Sequence, residues 1–271
     1  MLRVIGVSLF FIALFTLTGF LIGTAGVFFG LWNMRILTVV SMIFAMISIL
    51  LVMAAYHYAP SVILKKYKAK TSDKKEINAI VDKMAINAKI PTPKVCILPI
   101  DVPNSFIVGR NRNDTTVCVT EGVLSMNKGE IENIVAHEMW HVYNGDYKIQ
   151  QFVSVIAAVL RKTGIFIPLA MLTVRLGLSE RVEYRADYYA TRFSGKPRDL
   201  ASALNKMSET ARQNPMHGSP TYESIWIVNP FKREGHRRWY YTHPPTVRRA
   251  KRVEEMTHEG MSEIPEATEV D

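Results

Sequence analysis

Charge is missing from two long stretches of this 271-residue chain. Residues 4 to 30 carry no charged side chain, and residues 36 to 58 carry none apart from the ionisable His57. A helix needs roughly 20 apolar residues to cross the hydrocarbon layer, so each stretch is long enough. A cleaved leader has an apolar core of roughly 7–15 residues; the first run is far longer, and a second follows at once. The pair predicts a membrane-spanning helical hairpin over residues 1–62. Cysteine is scarce as well. Cys96 and Cys118 match no zinc or redox spacing, fit a reduced compartment and read as small core residues. There is no internal repeat. Nor does any nucleic-acid-binding motif accompany the net charge of +9, which points instead to a membrane surface.

The cations say which side that surface is on. Arg3 precedes the first span and only Arg35 lies in the short turn between spans, whereas Lys65, Lys66, Lys68, Lys70, Lys74 and Lys75 follow the second. This imbalance puts both ends of the hairpin, and the domain after it, on the cytoplasmic face of the cell membrane.

From residue 72 the pattern becomes that of a mainly helical α+β domain, extending to 258. Ile77, Ile80, Val81, Met84 and Ile86 keep the helical period over 74–89, with Ser72 or Asp73 as cap and Pro91 and Pro93 as the stop. Strand-like runs follow at Lys94–Leu98, Ser105–Val108 and Thr116–Thr120, the last two joined by a polar turn over 109–114. A further helix runs from Lys128, striped by Ile131, Ile134, Val135, Met139 and Val142, and ends at Asn144-Gly145-Asp146.

That helix carries His137-Glu138-Met139-Trp140-His141. Residues i and i+4 share one helix face, so the two imidazoles can offer nitrogens to one ion. Glu138, turned about 100° away, can stand beside a metal-bound water and take its proton without binding the metal. Catalytic zinc usually takes three protein ligands. A third histidine six residues after His141 is excluded by Tyr147, and a glutamate twenty residues on is excluded by Arg161. Candidates lie in the stretch from Leu178 to Ala190, where Glu180, Glu183 and Asp187 share a helix face. One carboxylate there would bind the ion and another would orient a ligand histidine through its second nitrogen.

Together, His137–Asp146, Glu183-Tyr-Arg-Ala-Asp187, Thr242-His-Pro-Pro245, Asn104-Ser-Phe-Ile-Val-Gly109 and Val119-Thr-Glu-Gly-Val-Leu124 resemble the M48 metallopeptidases, nearest the HtpX-like heat-shock membrane proteases. The resemblance runs from about residue 75 to 255. It implies a zincin-like metalloprotease domain with a small β-sheet and one zinc ion held by His137, His141 and Glu183. It also implies Glu138 as base, Asp187 behind the ligands and Asn104 at the substrate cleft. His243 and Arg249 occupy the positions of the family's His-Pro-Pro histidine and the arginine after it. His243 is a candidate for stabilising an oxyanion, Arg249 for contacting substrate. The implied substrates are polypeptides, above all misfolded membrane proteins, held along an edge strand at Asn104–Gly109 by main-chain pairing.

One departure concerns topology. HtpX-like proteins usually have two further spans between the histidines and the third ligand, but residues 147–182 are too few for two crossings at roughly 20 residues each. A single crossing would separate His141 from Glu183. The segment is therefore expected to be a short hydrophobic hairpin, or amphipathic helices at the membrane interface with Arg161 and Lys162 at the head groups. Past it, Arg198–Gln213 reads as a helix, the aromatic-rich stretch Tyr222–Phe231 as packing or a cleft wall, and residues 259–271 as a disordered acidic tail. Two rivals use the same motif: a site-2-type intramembrane protease, disfavoured because Lys128, Glu130, Glu132 and Asn133 precede the histidines, and an inactive zinc-stabilised membrane scaffold, disfavoured by the intact Glu138.

Overall fold

A computed structural model describes residues 2–162, 180–231 and 243–258. Residues 163–179, which include the apolar run from Ile165 to Leu172, and the acidic tail 259–271 lie outside the described residues. Helices α1 (Leu2–Phe28) and α2 (Met34–Lys66) form the expected hairpin, long and apolar enough to cross a membrane. Asn33 caps α2 by accepting from the backbone N–H groups of Arg35 and Ile36. The helices approach closely at Gly19 and Gly23, where any side chain would collide with Phe44 and Leu37 of α2, and the Trp32 indole in the turn between them donates to Gly23 O at 2.8 Å.

At 33 residues, α2 would span about 50 Å, well beyond a hydrocarbon layer of about 30 Å. Its last turns do different work from its first. Ala59 and Ile63 are fully buried against Phe106, Phe152 and Trp226. An expected hairpin boundary at residue 62 thus cuts through a continuous helix and a shared core. Pro60 lies inside α2 without ending it.

Next come β1 (Lys70–Thr71), α3 (Lys75–Asn87), β2 (Lys94–Leu98), β3 (Ser105–Asn111) and β4 (Asp114–Thr120). They form a sheet in the order β1-β2-β4-β3, with β2 parallel to β4 and β3 antiparallel to it. The two-residue β1, paired antiparallel with β2, is too short to leave a periodic signal in the sequence. The β3–β4 turn is tighter than the expected polar turn over 109–114, because both strands extend into it.

Alternating side chains of β3 and β4 enter two cores. Ile107, Val117 and Val119 face α3, α4 (Lys128–Asn144) and α7 (Pro197–Gln213) in one core. Phe106, Val108 and Cys118 face α2 and α5 (Tyr147–Lys162) in the other. With both faces covered, the strands read as apolar runs. Among the described residues the remaining α-helices are α6 (Glu180–Ser194) and α8 (Thr246–His258).

Helix α5 occupies residues 147–162 of the 147–182 segment, and residues 180–182 begin α6. Its apolar run from Phe152 to Ala157 is buried against α2 and the 3-10 turn Pro220–Ile225, while Arg161 and Lys162 at its end are exposed. The aromatic stretch Tyr222–Phe231 packs in the same core.

Candidate metal centre

Helix α4 begins with a capping box: Asn127 accepts from Glu130 N, and Glu130 accepts from Asn127 N. It ends where Gly145, at φ 77°, adopts the left-handed conformation. Between them, residues 129 to 142 are buried without a break. Its buried carboxylates are matched by cations, Glu130 by Lys206 at 2.6 Å and Glu132 by Lys83 and Lys196 at 2.8 and 2.7 Å. Helix α6 is laid against α4 by the stacking of Tyr189 on Trp140, ring centroids 3.9 Å apart.

This packing brings His137, His141 and Glu183 together, with one ligand atom from each within 4.8 Å of the others. Of the three acidic candidates on α6, Glu180 is exposed in the first turn, Glu183 joins the histidines, and Asp187 lies behind them. His137 Nδ1 lies 3.1 Å from Asp187 Oδ1, and His141 Nδ1 lies 2.8 Å from Asp146 Oδ1. A carboxylate accepts, so each Nδ1 carries a proton, and in the neutral imidazole each Nε2 offers a lone pair. Those two Nε2 atoms face each other at 3.1 Å. Two lone pairs so close repel, so a proton or a metal ion must lie between them. Nitrogens bound tetrahedrally to one zinc ion would be about 3.3 Å apart. The donor set therefore fits a metal.

The charges around the trio agree. Burial works against a protonated His141, but Asp146, Glu183 and Glu138 outweigh it and lift the imidazole to about 10. His137 is also raised, Asp187 and Glu183 overcoming its burial and the like charge of His141. Burial disfavours the Glu183 carboxylate, yet His243, His137, Arg249 and His141 hold it well below the usual range. His243 itself is pushed down to about 4 by burial, with Arg249 and the two histidines opposing the pull of Glu183. It is then uncharged at neutral pH, so the attraction on Glu183 rests mainly on His137 and Arg249. His243 Nε2 lies 3.5 Å from Glu183 Oε1. A shell this rich in carboxylate attracts either protons or a metal cation.

Glu138 is 2% exposed, and its Oε1 accepts from Ser105 Oγ at 2.6 Å. Burial pushes its carboxyl up, in spite of His141, His137 and Ser105. A carboxyl raised in this way is suited to carrying a proton.

Two expected substrate contacts are placed differently. Arg249 is fully buried; its Nε and Nη2 each lie 2.7 Å from Asp187, and Nη1 reaches Ile227 O at 2.6 Å and Glu183 Oε2 at 3.2 Å. Asn104 is fully buried too, donating to Val228 O and accepting from the N–H groups of Ser105 and Val228. Both side chains face their own chain rather than a cleft. The β3 edge exists, but it is already engaged. Ser105 O accepts from Ile227 N, and the Gln151 side-chain amide pairs with both N and O of Gly109 at 3.0 and 2.6 Å.

Asp146, Ser105, Gln151 and Ile227 thus belong to the site's surroundings although sequence reasoning gave them no role. Asp146 had a signal: Gly145 turns the chain back toward His141. The others had none, because each meets its partner across a long separation in sequence.

Comparison with known proteins agrees with the geometry. Residues 71–257 match Peptidase family M48. Curated proteins named Protease HtpX homolog are similar over most of their length. That of Pyrococcus abyssi is 34% identical over 246 residues, 79% of this chain and 85% of its own. That of Pyrococcus furiosus is 33% identical over 276 residues, 90% and 93% respectively. That of Salinibacter ruber is 32% identical, over 74% of this chain and 83% of its own.

Proposed function

The chain belongs to peptidase family M48, a membrane-associated metalloprotease with a buried His-His-Glu cluster, and from that premise we propose that it is a zinc-dependent endopeptidase. The observation that carries the reading is the facing pair of Nε2 atoms, each imidazole fixed from behind by an aspartate. A zinc ion held by His137, His141 and Glu183 would polarise a peptide carbonyl and lower the pKa of a bound water.

The residues around it have distinct tasks. Glu138 takes the proton of the attacking water and returns it to the leaving amine, which places this reading in the metalloendopeptidase class. His243, neutral at working pH, donates to the oxygen that becomes negative. Asp187 and Asp146 set the imidazole tautomers. Arg249 holds Asp187 and Glu183 in place, and Asn104 ties β3 to residues 227–228. A peptide added along β3 would displace the Gln151 amide from Gly109 to gain main-chain pairing.

In this reading the hairpin anchors a multi-pass membrane protein, and the lysines at and after the end of α2 support a cytoplasmic position for the domain. Such a position, with pairing that tolerates many sequences, suits removal of misfolded membrane proteins. Helix α4 lies outside both candidate spans, which weighs against an intramembrane protease.

The test is metal analysis together with casein cleavage by purified wild type and Glu138→Gln. The expected result is about one zinc per chain in both, with cleavage by the wild type alone. Cleavage retained by Glu138→Gln would refute the assigned base, and a metal-free wild type that still cleaves would refute the zinc mechanism.

A further inference from the structure

Ser105 is fastened at every polar atom it has. Its N–H donates to Asn104 Oδ1 at 3.0 Å, its carbonyl accepts from Ile227 N at 3.2 Å, and its hydroxyl donates to Glu138 Oε1 at 2.6 Å. The residue has no exposed surface, and β3 pairs it with Val119. Its backbone is thus set by the sheet and by the segment 227–228, leaving the hydroxyl one short path.

The contacts close into a ring. His137 meets Asp187, Asp187 meets Arg249, and Arg249 Nη1 donates to Ile227 O. Ile227 N then reaches Ser105 O, and Ser105 Oγ reaches Glu138, which follows His137 in the chain. A carboxylate on a three-torsion side chain would otherwise sample several rotamers. A serine has one hydroxyl proton, and spending it on Oε1 leaves Oε2 outside this bond.

We propose that Ser105 is a positioning residue: through its hydroxyl it locks Glu138 in the rotamer in which one carboxylate oxygen can take the proton of the attacking water. The effect on rate rests on the endopeptidase reading; the coupling between the two side chains does not.

Two experiments on the full-length protein in detergent test it. In the first, the zinc-loaded protein cleaves a quenched fluorescent peptide derived from casein. Ser105→Ala should lower kcat by about 10–100-fold, the scale of a lost hydrogen bond to a charged group, with KM and zinc content unchanged. Ser105→Thr should recover most of the rate, and Ser105→Cys, similar in size but a weak donor, should fall between. An unchanged kcat in Ser105→Ala, or a loss confined to KM, would overturn the proposal.

The second experiment needs no activity. In metal-free protein, Ser105→Ala should lower the melting temperature by several degrees, and by less than half as much in a Glu138→Ala background. Equal losses in both backgrounds overturn the proposal even if the enzyme is active. Coupling without any cleavage by the wild type would instead leave the anchor standing and remove the endopeptidase reading.

Discussion

Helices α2 and α4 are built inside out relative to one another. On the first two-thirds of α2, Met42, Met46, Leu50 and Met53 are all more than half exposed. On α4, Glu130, Glu132, Asn133, His137, Glu138 and His141 are all below 5%. Lipid accounts for the first, because a surrounding hydrocarbon makes an outward methionine cheap. Mutual neutralisation accounts for the second, since a buried carboxylate persists only with cations and donors close by. Side chains on α4 should therefore be strongly interdependent and those on the outer face of α2 nearly independent.

The sharpest test of that contrast is Arg249→Met. It leaves Asp187 and Glu183 buried without their cation, and should cost about 3–5 kcal/mol, read as a melting temperature lower by about 10 °C. Asp187→Ala should fall at the lower end of that range, because the guanidinium loses two bonds but keeps Glu183 at 3.2 Å. The sequence alone suggests only a weaker metal site for Asp187→Ala; a stable variant would show that the ring around Arg249 is not a structural unit.

A smaller loss is expected at Asp146, whose carboxylate touches one imidazole and is partly exposed. Asp146→Ala should weaken zinc binding by roughly 10–100-fold, measured by competition with a chelating dye. Unchanged affinity would mean that His141 is held by its helix alone.

Acidity probes the same centre without mutation. His141 is raised to about 10 in the metal-free site, so metal entry must displace its proton at neutral pH. His137, raised as well, can add a second. Apparent zinc affinity should then grow by about tenfold per pH unit for each proton displaced, and fall as the solution is acidified. A flat profile between about pH 6 and 8 would contradict the raised imidazoles. The mildest case is Met42→Leu on the outer face of α2, which should shift stability by less than about 0.5 kcal/mol in lipid vesicles. A loss comparable to that of Arg249→Met would mean that this face packs against protein.

The legible parts of the site share one property: their partners are close in sequence. His137 and His141 are one helical turn apart, and α4 announces its own end at Asn144-Gly145. The hairpin was legible for a similar reason, an apolar composition sustained over a whole helix. Choosing among Glu180, Glu183 and Asp187 was harder, because any rotation of α6 would present a different carboxylate. The stacking of Tyr189 on Trp140 and the Arg249–Asp187 pair select the rotation observed. Arg249 and Asn104 were assigned to substrate because a polar side chain near a motif suggests a ligand, whereas their partners, Asp187 and Val228, are reached only through the fold. The apolar run of α5 was ambiguous in the same way. Its hydrophobicity fits a lipid interface or a protein core equally well, and the faces of α2 and β3 decide that it is buried.

By itself the sequence determined the membrane hairpin, the mainly helical α+β class, the helix bearing His137, Glu138 and His141, and the stretch from which the third ligand must come. Periodicity, charge exclusion and i,i+4 spacing are local properties, and they survive whatever the rest of the chain does. Tertiary structure alone decided that Glu183 meets the histidines, that Arg249 stands behind Asp187, that Gln151 fills the edge at Gly109 and that Ser105 grips Glu138. Each of those is a contact of 3.6 Å or less between separate elements. Hydrogen bonds and ion pairs weaken steeply with distance and angle, so no pattern of residue types can specify them until the backbones that carry them have been brought together.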